Sequence, residues 1–207
     1  VSNAANVSNT SIVWQMDPMA LDARLRDFLQ EDIGHVDLTA TLMVDAAQTG
    51  QFEMRAREPM TIAGLSVAAR AFSLYDSSID IELRVADGQA VPEGTTLMHL
   101  QGPARSLLTV ERTALNLIQH LSGIATLTAQ YVERIAGTGA QLVDTRKTTP
   151  GLRALEKHAV ACGGGRNHRL GLDSGVMLKD NHIAVCGSIS AAVARARSRV
   201  PVLTRIE

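Results

Sequence analysis

The sequence predicts an α+β unit followed by an α/β unit with parallel strands, and three observations carry that prediction. Residues 51–57 and 79–85 alternate apolar and polar side chains, as half-buried strands do. Residues 106–135 contain neither Gly nor Pro apart from Gly123, so a long helix connects the halves. Beyond Gly139, short apolar runs alternate with helical patterns, and that order implies parallel strands joined by helical crossovers.

Taken in order, Asp17-Pro18 is an N-cap followed by Pro at the first helical position, and Leu21, Leu25, Phe28 and Leu29 continue at helical spacing over 18–31. Gly64 to Tyr75 reads as a second helix between the two alternating strands. The turn signals Asp87-Gly88, Pro92-Glu93-Gly94 and Gly102-Pro103 bracket a short strand at 96–100. The long segment is one helix, or two with a break near Ser122-Gly123, with Leu108, Leu115, Leu117, Ile118, Leu121, Ile124, Leu127, Tyr131 and Ile135 as its apolar face. In the second half, strands are expected at 141–144, 175–179 and 202–207, with helices at 151–161 and 188–199. The Ala/Arg run at 191–199 is read as a solvated helix face. Ligands of parallel sheets bind at the C-terminal strand ends, so Asp144-Thr145-Arg146-Lys147, Lys179-Asp180-Asn181 and Glu207 should converge on one mouth. Residues 1–16 are read as a flexible tail, 17–117 as the first domain and 118–207 as the second.

A chain of 207 residues with 45% hydrophobic and 20% charged composition can bury a core. A net charge of −1 and 3% aromatics argue against nucleic-acid or membrane-surface partners. Two cysteines without a CxxC point to a reducing cytoplasm. Positive charge is nonetheless concentrated: residues 144–182 hold seven Lys or Arg against four Asp or Glu, and all three lysines, Lys147, Lys157 and Lys179, fall there. A compact ammonium suits close approach to a carboxylate or phosphate, so this window is read as a site for a small anion.

Within it, Arg146 and Lys147 directly follow a strand and stand beside Thr145, Thr148 and Thr149, giving a guanidinium fork, an ammonium and hydroxyl donors in one loop. Gly163-Gly164-Gly165 before Arg166 is read as a backbone nest for an anion rather than a plain helix cap. His168 is either a ligand donor or a structural histidine, and no transition-metal spacing surrounds it. His182 is read as structural. Glu111-Arg112 looks like an exposed helix couple, and Cys162 like an inert thiol lacking a base at recognisable spacing.

These strings together resemble a known family. Glu111-Arg112-Thr113-Ala114-Leu115-Asn116, Leu121-Ser122-Gly123-Ile124-Ala125-Thr126, Asp144 to Arg153, Gly163 to Leu172 and Lys179-Asp180-Asn181-His182-Ile183 are similar to quinolinate phosphoribosyltransferases, also called nicotinate-nucleotide pyrophosphorylases (carboxylating). Glu31-Asp32-Ile33-Gly34 with Asp37-Leu38-Thr39 fits the same family's early signature. The resemblance implies an N-terminal α/β sandwich followed by an α/β barrel, incomplete in this chain, and commonly a homodimer. It implies formation of nicotinate mononucleotide, CO2 and pyrophosphate from quinolinate and phosphoribosyl pyrophosphate with Mg2+, in NAD synthesis.

By motif position, the resemblance implies that Arg112, Thr145, Arg146, Lys147, His168, Arg169 and Lys179 bind substrate, with Lys147, Lys179 and Glu207 as the catalytic groups and the metal ligands unassigned. Arg112 would reach the neighbouring subunit's site. Two departures stand out. The family's acid before the second-half strand is shifted to Asp173-Ser174-Gly175, and Glu207 matches only the first acid of a strand whose later partners and phosphate loops lie past residue 207. Three strands cannot close a barrel of eight, so the expectation is that the native protein continues. The competing readings are the molybdenum-transport-associated paralogue of the same fold, and a non-catalytic anion-binding or dimerising fragment.

Overall fold

A computed structural model describes residues 17–207, so the expected tail lies outside the described residues. Helix α1, Pro18–Ile33, begins where expected: the Asp17 carboxylate accepts from the Met19 and Ala20 amides at 2.9 and 3.1 Å. Its buried stripe is Leu25 and Leu29. A short helix that the sequence pattern does not reveal, α2 (Leu38–Met43), follows, capped by Asp37. Asp37 also accepts from Thr109 Oγ1 at 3.0 Å, which ties the early Asp-Leu-Thr signature to the long helix.

Strands β1 (Thr49–Arg55) and β2 (Met60–Thr61) precede α3 (Leu65–Tyr75), and β3 (Asp80–Leu83), β4 (Ala90–Val91) and β5 (Thr96–Pro103) come after it. The sheet order is β1-β5-β3, antiparallel throughout, and β2 pairs antiparallel with β4. Helices α1, α3 and the long α4 (Ala104–Arg134) supply the rest of one core, with Leu25, Ile62, Leu65, Phe72, Leu97, Met98, Leu107 and Leu121 at its centre.

Of the two expectations for 106–135, a single helix is correct: α4 runs unbroken through Gly123. Ser122 explains itself by packing, because its hydroxyl accepts from the Ala63 amide and donates to the Ala63 carbonyl across the core. The apolar face is narrower than expected, with Leu108, Leu127 and Tyr131 exposed.

The second half contains α5 (Arg153–Cys162), α6 (Asp180–Cys186) and α7 (Ile189–Arg197). Parallel pairing is present, but only as isolated bridges, Val143 with Arg166 and Val176 with Ile206. The expected strands at 141–144, 175–179 and 202–207 are reduced to these contacts. Their partner assignment also differs, because Arg166, expected in a nest, is itself the strand residue beside Val143.

The triple glycine is a helix terminus, and the nest reading is incorrect. The amides of Gly163, Gly164 and Gly165 donate to the carbonyls of Ala159, Ala161 and Val160, and that of Arg166 to Leu142, so none is left for an anion. Gly164 takes the left-handed φ of +85° that ends many helices. Gly163 is demanded by close approach, since a Cβ there would lie 2.4 Å from the Ala125 carbonyl oxygen of α4.

Where α5 docks, Cys162 is not isolated from a base. His158, one helical turn earlier, places Nε2 3.4 Å from its Sγ and 2.9 Å from Asp87 Oδ2. The hydrogen bond to Asp87, then that to Cys162, raises the His158 imidazolium to about 10 despite partial burial.

Candidate active site

The loop that carries Thr145, Arg146 and Lys147 leaves the short strand segment at Asp144 and returns into α5 through a turn in which the Leu152 amide donates to the Thr149 carbonyl. Two buried charges hold it in place. Lys157, counted with Lys147 and Lys179 in the basic window, forms an ion pair with Asp144, with only 1% of its side chain exposed and 6% of its partner's. Asp144 also accepts from the His168 amide and from Asn167 Nδ2, each at 2.8 Å, and Asn167 Nδ2 reaches the Lys157 carbonyl at 2.8 Å as well. An ammonium and a carboxylate this deeply buried are tolerable only as a pair with their remaining valences filled. The Lys157 charge is therefore spent inside the protein, and the free positive charge belongs to the other basic residues.

Glu156 is the second anchor. Its Oε2 accepts from the Thr149 amide at 3.1 Å, and its Oε1 lies 2.9 Å from His120 Nε2 on α4. Burial pushes this carboxyl up, but hydrogen bonds from Thr149 and His120 outweigh it and leave the group below the ordinary glutamate value. Arg153 closes the loop from beneath: its Nε donates to Thr148 Oγ1 at 3.0 Å. Neither Glu156 nor His120 stood out in the sequence. The one available signal was Glu156 in the first turn of a helix directly after a Thr-Thr-Pro-Gly turn.

Held this way, the Arg146 guanidinium has Nε and Nη1 shielded from solvent and without any hydrogen-bond partner among the described residues. A buried cationic donor left unpaired costs about 1–3 kcal/mol or more, a deficit that an incoming anion removes. Lys147 and Thr145 are exposed beside it, the Thr145 hydroxyl accepting from the Lys147 amide at 3.0 Å.

The other candidates gather from the neighbouring segments. His168 Nε2 lies 2.9 Å from Glu207 Oε2. The Leu178 amide donates to the Glu207 carbonyl at 2.7 Å, so Lys179 follows directly upon the Glu207 segment. Arg169 approaches the Gly175 carbonyl and Met177 Sδ at 3.4 and 3.5 Å. His182 has the structural role expected, its Nδ1 accepting from the Lys179 amide at 3.1 Å to start α6. Through these links Thr145, Arg146, Lys147, His168, Arg169, Lys179 and Glu207 share one region.

Arg112 is not brought to this region. It is exposed on α4, eight residues or roughly 12 Å along the axis before His120, and no hydrogen bond joins it to the set among the described residues. A concavity of about 600 Å³ between β1, the β1–β2 connection and α4, lined by Arg55, Arg57, Glu111 and Gln119 among others, contains none of the candidates.

The model of the quinolinate phosphoribosyl transferase N-terminal domain matches residues 37–122, and that of the C-terminal domain matches residues 124–207. The chain belongs to the quinolinate phosphoribosyltransferase family. A Synechocystis protein named "Probable nicotinate-nucleotide pyrophosphorylase (carboxylating)" is 49% identical over 202 residues, covering 97% of this chain and 68% of the relative. A Mycobacterium leprae protein named nicotinate-nucleotide pyrophosphorylase (carboxylating) is 44% identical over 185 residues, covering 86% of this chain and 64% of the relative. Among solved structures, NadC from Streptococcus pyogenes superposes with a TM-score of 0.88 at 40% identity, over 93% of this chain and 68% of that one. The chain thus spans about two thirds of the length of these relatives. Their names do not favour the molybdenum-transport paralogue or the non-catalytic fragment. Family membership also fits the sparse parallel pairing of the second half, as part of an α/β barrel. No helix among the described residues is long and apolar enough to cross a membrane.

Proposed function

We propose that this protein transfers phosphoribosyl from phosphoribosyl pyrophosphate to quinolinate with decarboxylation, giving nicotinate mononucleotide, CO2 and pyrophosphate for NAD synthesis. The observation that carries the reading is Arg146, a half-buried residue whose Nε and Nη1 are shielded from solvent and lack an acceptor among the described residues, set beside the exposed Lys147 and Lys179 within a chain of this family. Quinolinate carries adjacent carboxylates on a pyridine ring, and the Nε and Nη1 groups of Arg146 each offer a charge-assisted hydrogen bond to such an anion.

In this reading Arg146 and Arg169 clamp the carboxylates, while Thr145 and His168 complete the pocket and fix the ring nitrogen toward ribose C1. The ring nitrogen forms the new bond to C1 as the C1–oxygen bond breaks, and that electron pair leaves with pyrophosphate. Lys147 and Lys179 stabilise the charge that collects on the departing oxygens, worth several kcal/mol where water is excluded. The carboxylate beside the ring nitrogen then leaves as CO2. Its bonding pair stays on the ring carbon, where the pyridinium nitrogen stabilises it until a proton is taken up.

Mg2+ would enter with phosphoribosyl pyrophosphate and lower the charge on the leaving group. The donor set fits such an ion, which typically takes one or two protein carboxylates and keeps phosphate oxygens and waters. Asp144 is saturated by its buried partners, so Glu207, 58% exposed and engaged through one oxygen only, is the acid we assign to the metal and the ribose. We further propose a homodimer in which Arg112 completes the neighbouring site, supported by its exposure and by the absence, among the described residues, of any hydrogen bond that joins it to its own chain's cluster. Both cysteines are free thiols, which supports the cytoplasm as the location.

The test is nicotinate mononucleotide formation, followed with CO2 release, from quinolinate and phosphoribosyl pyrophosphate with Mg2+. Quinolinate binding is measured beside it by calorimetry on wild type and Arg146→Ala. Product formation together with loss of binding in the variant supports the reading. Quinolinate affinity that is unchanged in the variant removes it.

A further inference from the structure

Three groups of different ligand chemistry converge at the junction between the β3–β4 turn and α5, outside the cationic cluster. They are Asp87, His158 and Cys162, whose ligand atoms all lie within 4.8 Å of one another. We propose that they bind a single zinc-class divalent cation, which ties the N-terminal unit to the helix that anchors the catalytic loop.

Oδ2 of Asp87 and Sγ of Cys162 both approach the same ring atom, Nε2 of His158, at 2.9 and 3.4 Å. A Cys-His-Asp proton relay would use opposite ring nitrogens, so this cluster is not a nucleophile triad. One Nε2–H cannot serve two acceptors well, whereas one cation can take a lone pair from all three. Zinc bond lengths set tetrahedral ligand separations of about 3.4 Å for N and O and about 3.6 Å for N and S, within half an ångström of those observed.

A carboxylate and a thiolate bring two negative charges, which a divalent cation balances at a place where the Asp87 and His158 side chains are only 12% and 20% exposed. Sulfur and imidazole select a zinc-class ion over Mg2+, so the substrate-borne metal does not compete here.

His158 and Cys162 are four residues apart on α5 and share a face, a chelating spacing built into the helix. Asp87 is held independently, its Oδ1 accepting from the Leu65 amide at 2.9 Å and its Oδ2 from Ser66 Oγ at 3.2 Å. Outer hydrogen bonds of this kind orient the ligands of protein metal sites. The residual exposure of Asp87 and His158 leaves the fourth position to water.

The purified chain, stripped with chelator and titrated with Zn2+ and separately with Co2+, should bind one equivalent of each. The Co2+ form should show thiolate charge-transfer absorption in the near ultraviolet together with visible bands of a four-coordinate ion. Cys162→Ser should abolish the charge-transfer band, and His158→Gln and Asp87→Asn should each weaken binding at least by the roughly 10- to 100-fold that losing an outer partner costs. Cys186→Ser should change nothing. Circular dichroism on each variant separates lost binding from lost folding, and Asp87→Asn keeps the shape and the acceptor for Leu65. Absence of stoichiometric binding in the folded wild type, or binding that survives Cys162→Ser and His158→Gln together, overturns the proposal and leaves a hydrogen-bonded clamp.

Discussion

At Arg146 the Nε and Nη1 of the guanidinium are shielded from water without a hydrogen-bond partner among the described residues, a cost that an anionic ligand would remove. Arg146→Ala should weaken quinolinate binding by about 1.5–3 kcal/mol, roughly 10- to 150-fold, with a melting temperature that does not fall, since the unpaired donor is removed. Calorimetric titration with a parallel melt reads both. Glu156 gives a prediction of a different kind. Its carboxyl is held below its ordinary value of 4.5 in the folded state, so the stability it contributes is complete above that value and fades as the pH falls through the lower folded one. Glu156→Gln should therefore lose stability at neutral pH and show a shallower decline of melting temperature with acidification below pH 4.5. Parallel decline in variant and wild type would place the acid sensitivity elsewhere.

At the scale of elements, the junction of α4 and α5 decides whether the loop is presented correctly. Gly163→Ala would drive a methyl group into the Ala125 carbonyl, and a clash with backbone cannot be relieved by a rotamer change. A loss of about 1–3 kcal/mol is expected, and urea unfolding measures it. Lys157→Ala strands Asp144 as a buried, uncompensated carboxylate, so the loss should reach about 3–5 kcal/mol. Double replacement of Asp144 and Lys157 by apolar residues of similar size should recover part of that stability without recovering catalysis, since Asp144 also positions Asn167 and His168.

Across the whole molecule, Arg112 poses the question of assembly. It is exposed on α4 with no hydrogen bond to its own chain's cluster among the described residues, and in a homodimer with shared sites it would serve the partner. Mixing inactive Arg112→Ala and Arg146→Ala chains under subunit exchange should then restore activity up to about a quarter of wild type, because only heterodimers assemble one intact composite site. No recovery despite demonstrated exchange would place Arg112 outside the partner's site.

Much of this was determined by sequence alone. Helix α1 with its Asp17 cap, the period-two strands, the length of α4 and the cationic strings are local properties, set by spacing and by backbone preferences that need no partner. The family was legible for the same reason, through ordered strings such as Asp144 to Arg153. What only the tertiary structure decided is which charges are free. Lys157 and Lys147 look alike in a window count, but one is neutralised by Asp144 beneath α5 while the other faces solvent. The triple glycine matches an anion nest or a helix cap, and its amides, bonded to the carbonyls of Ala159, Val160 and Ala161, make it the cap, while Ala125 of α4 leaves no room for a side chain at 163. Cys162 reads as inert until folding brings Asp87, 75 residues earlier in the chain, against His158. For the lysine and the cysteine the deciding partner lies on another segment of the chain. Desolvation and pairing are properties of the packed chain, so local pattern proposes the groups and burial determines which of them are left to act.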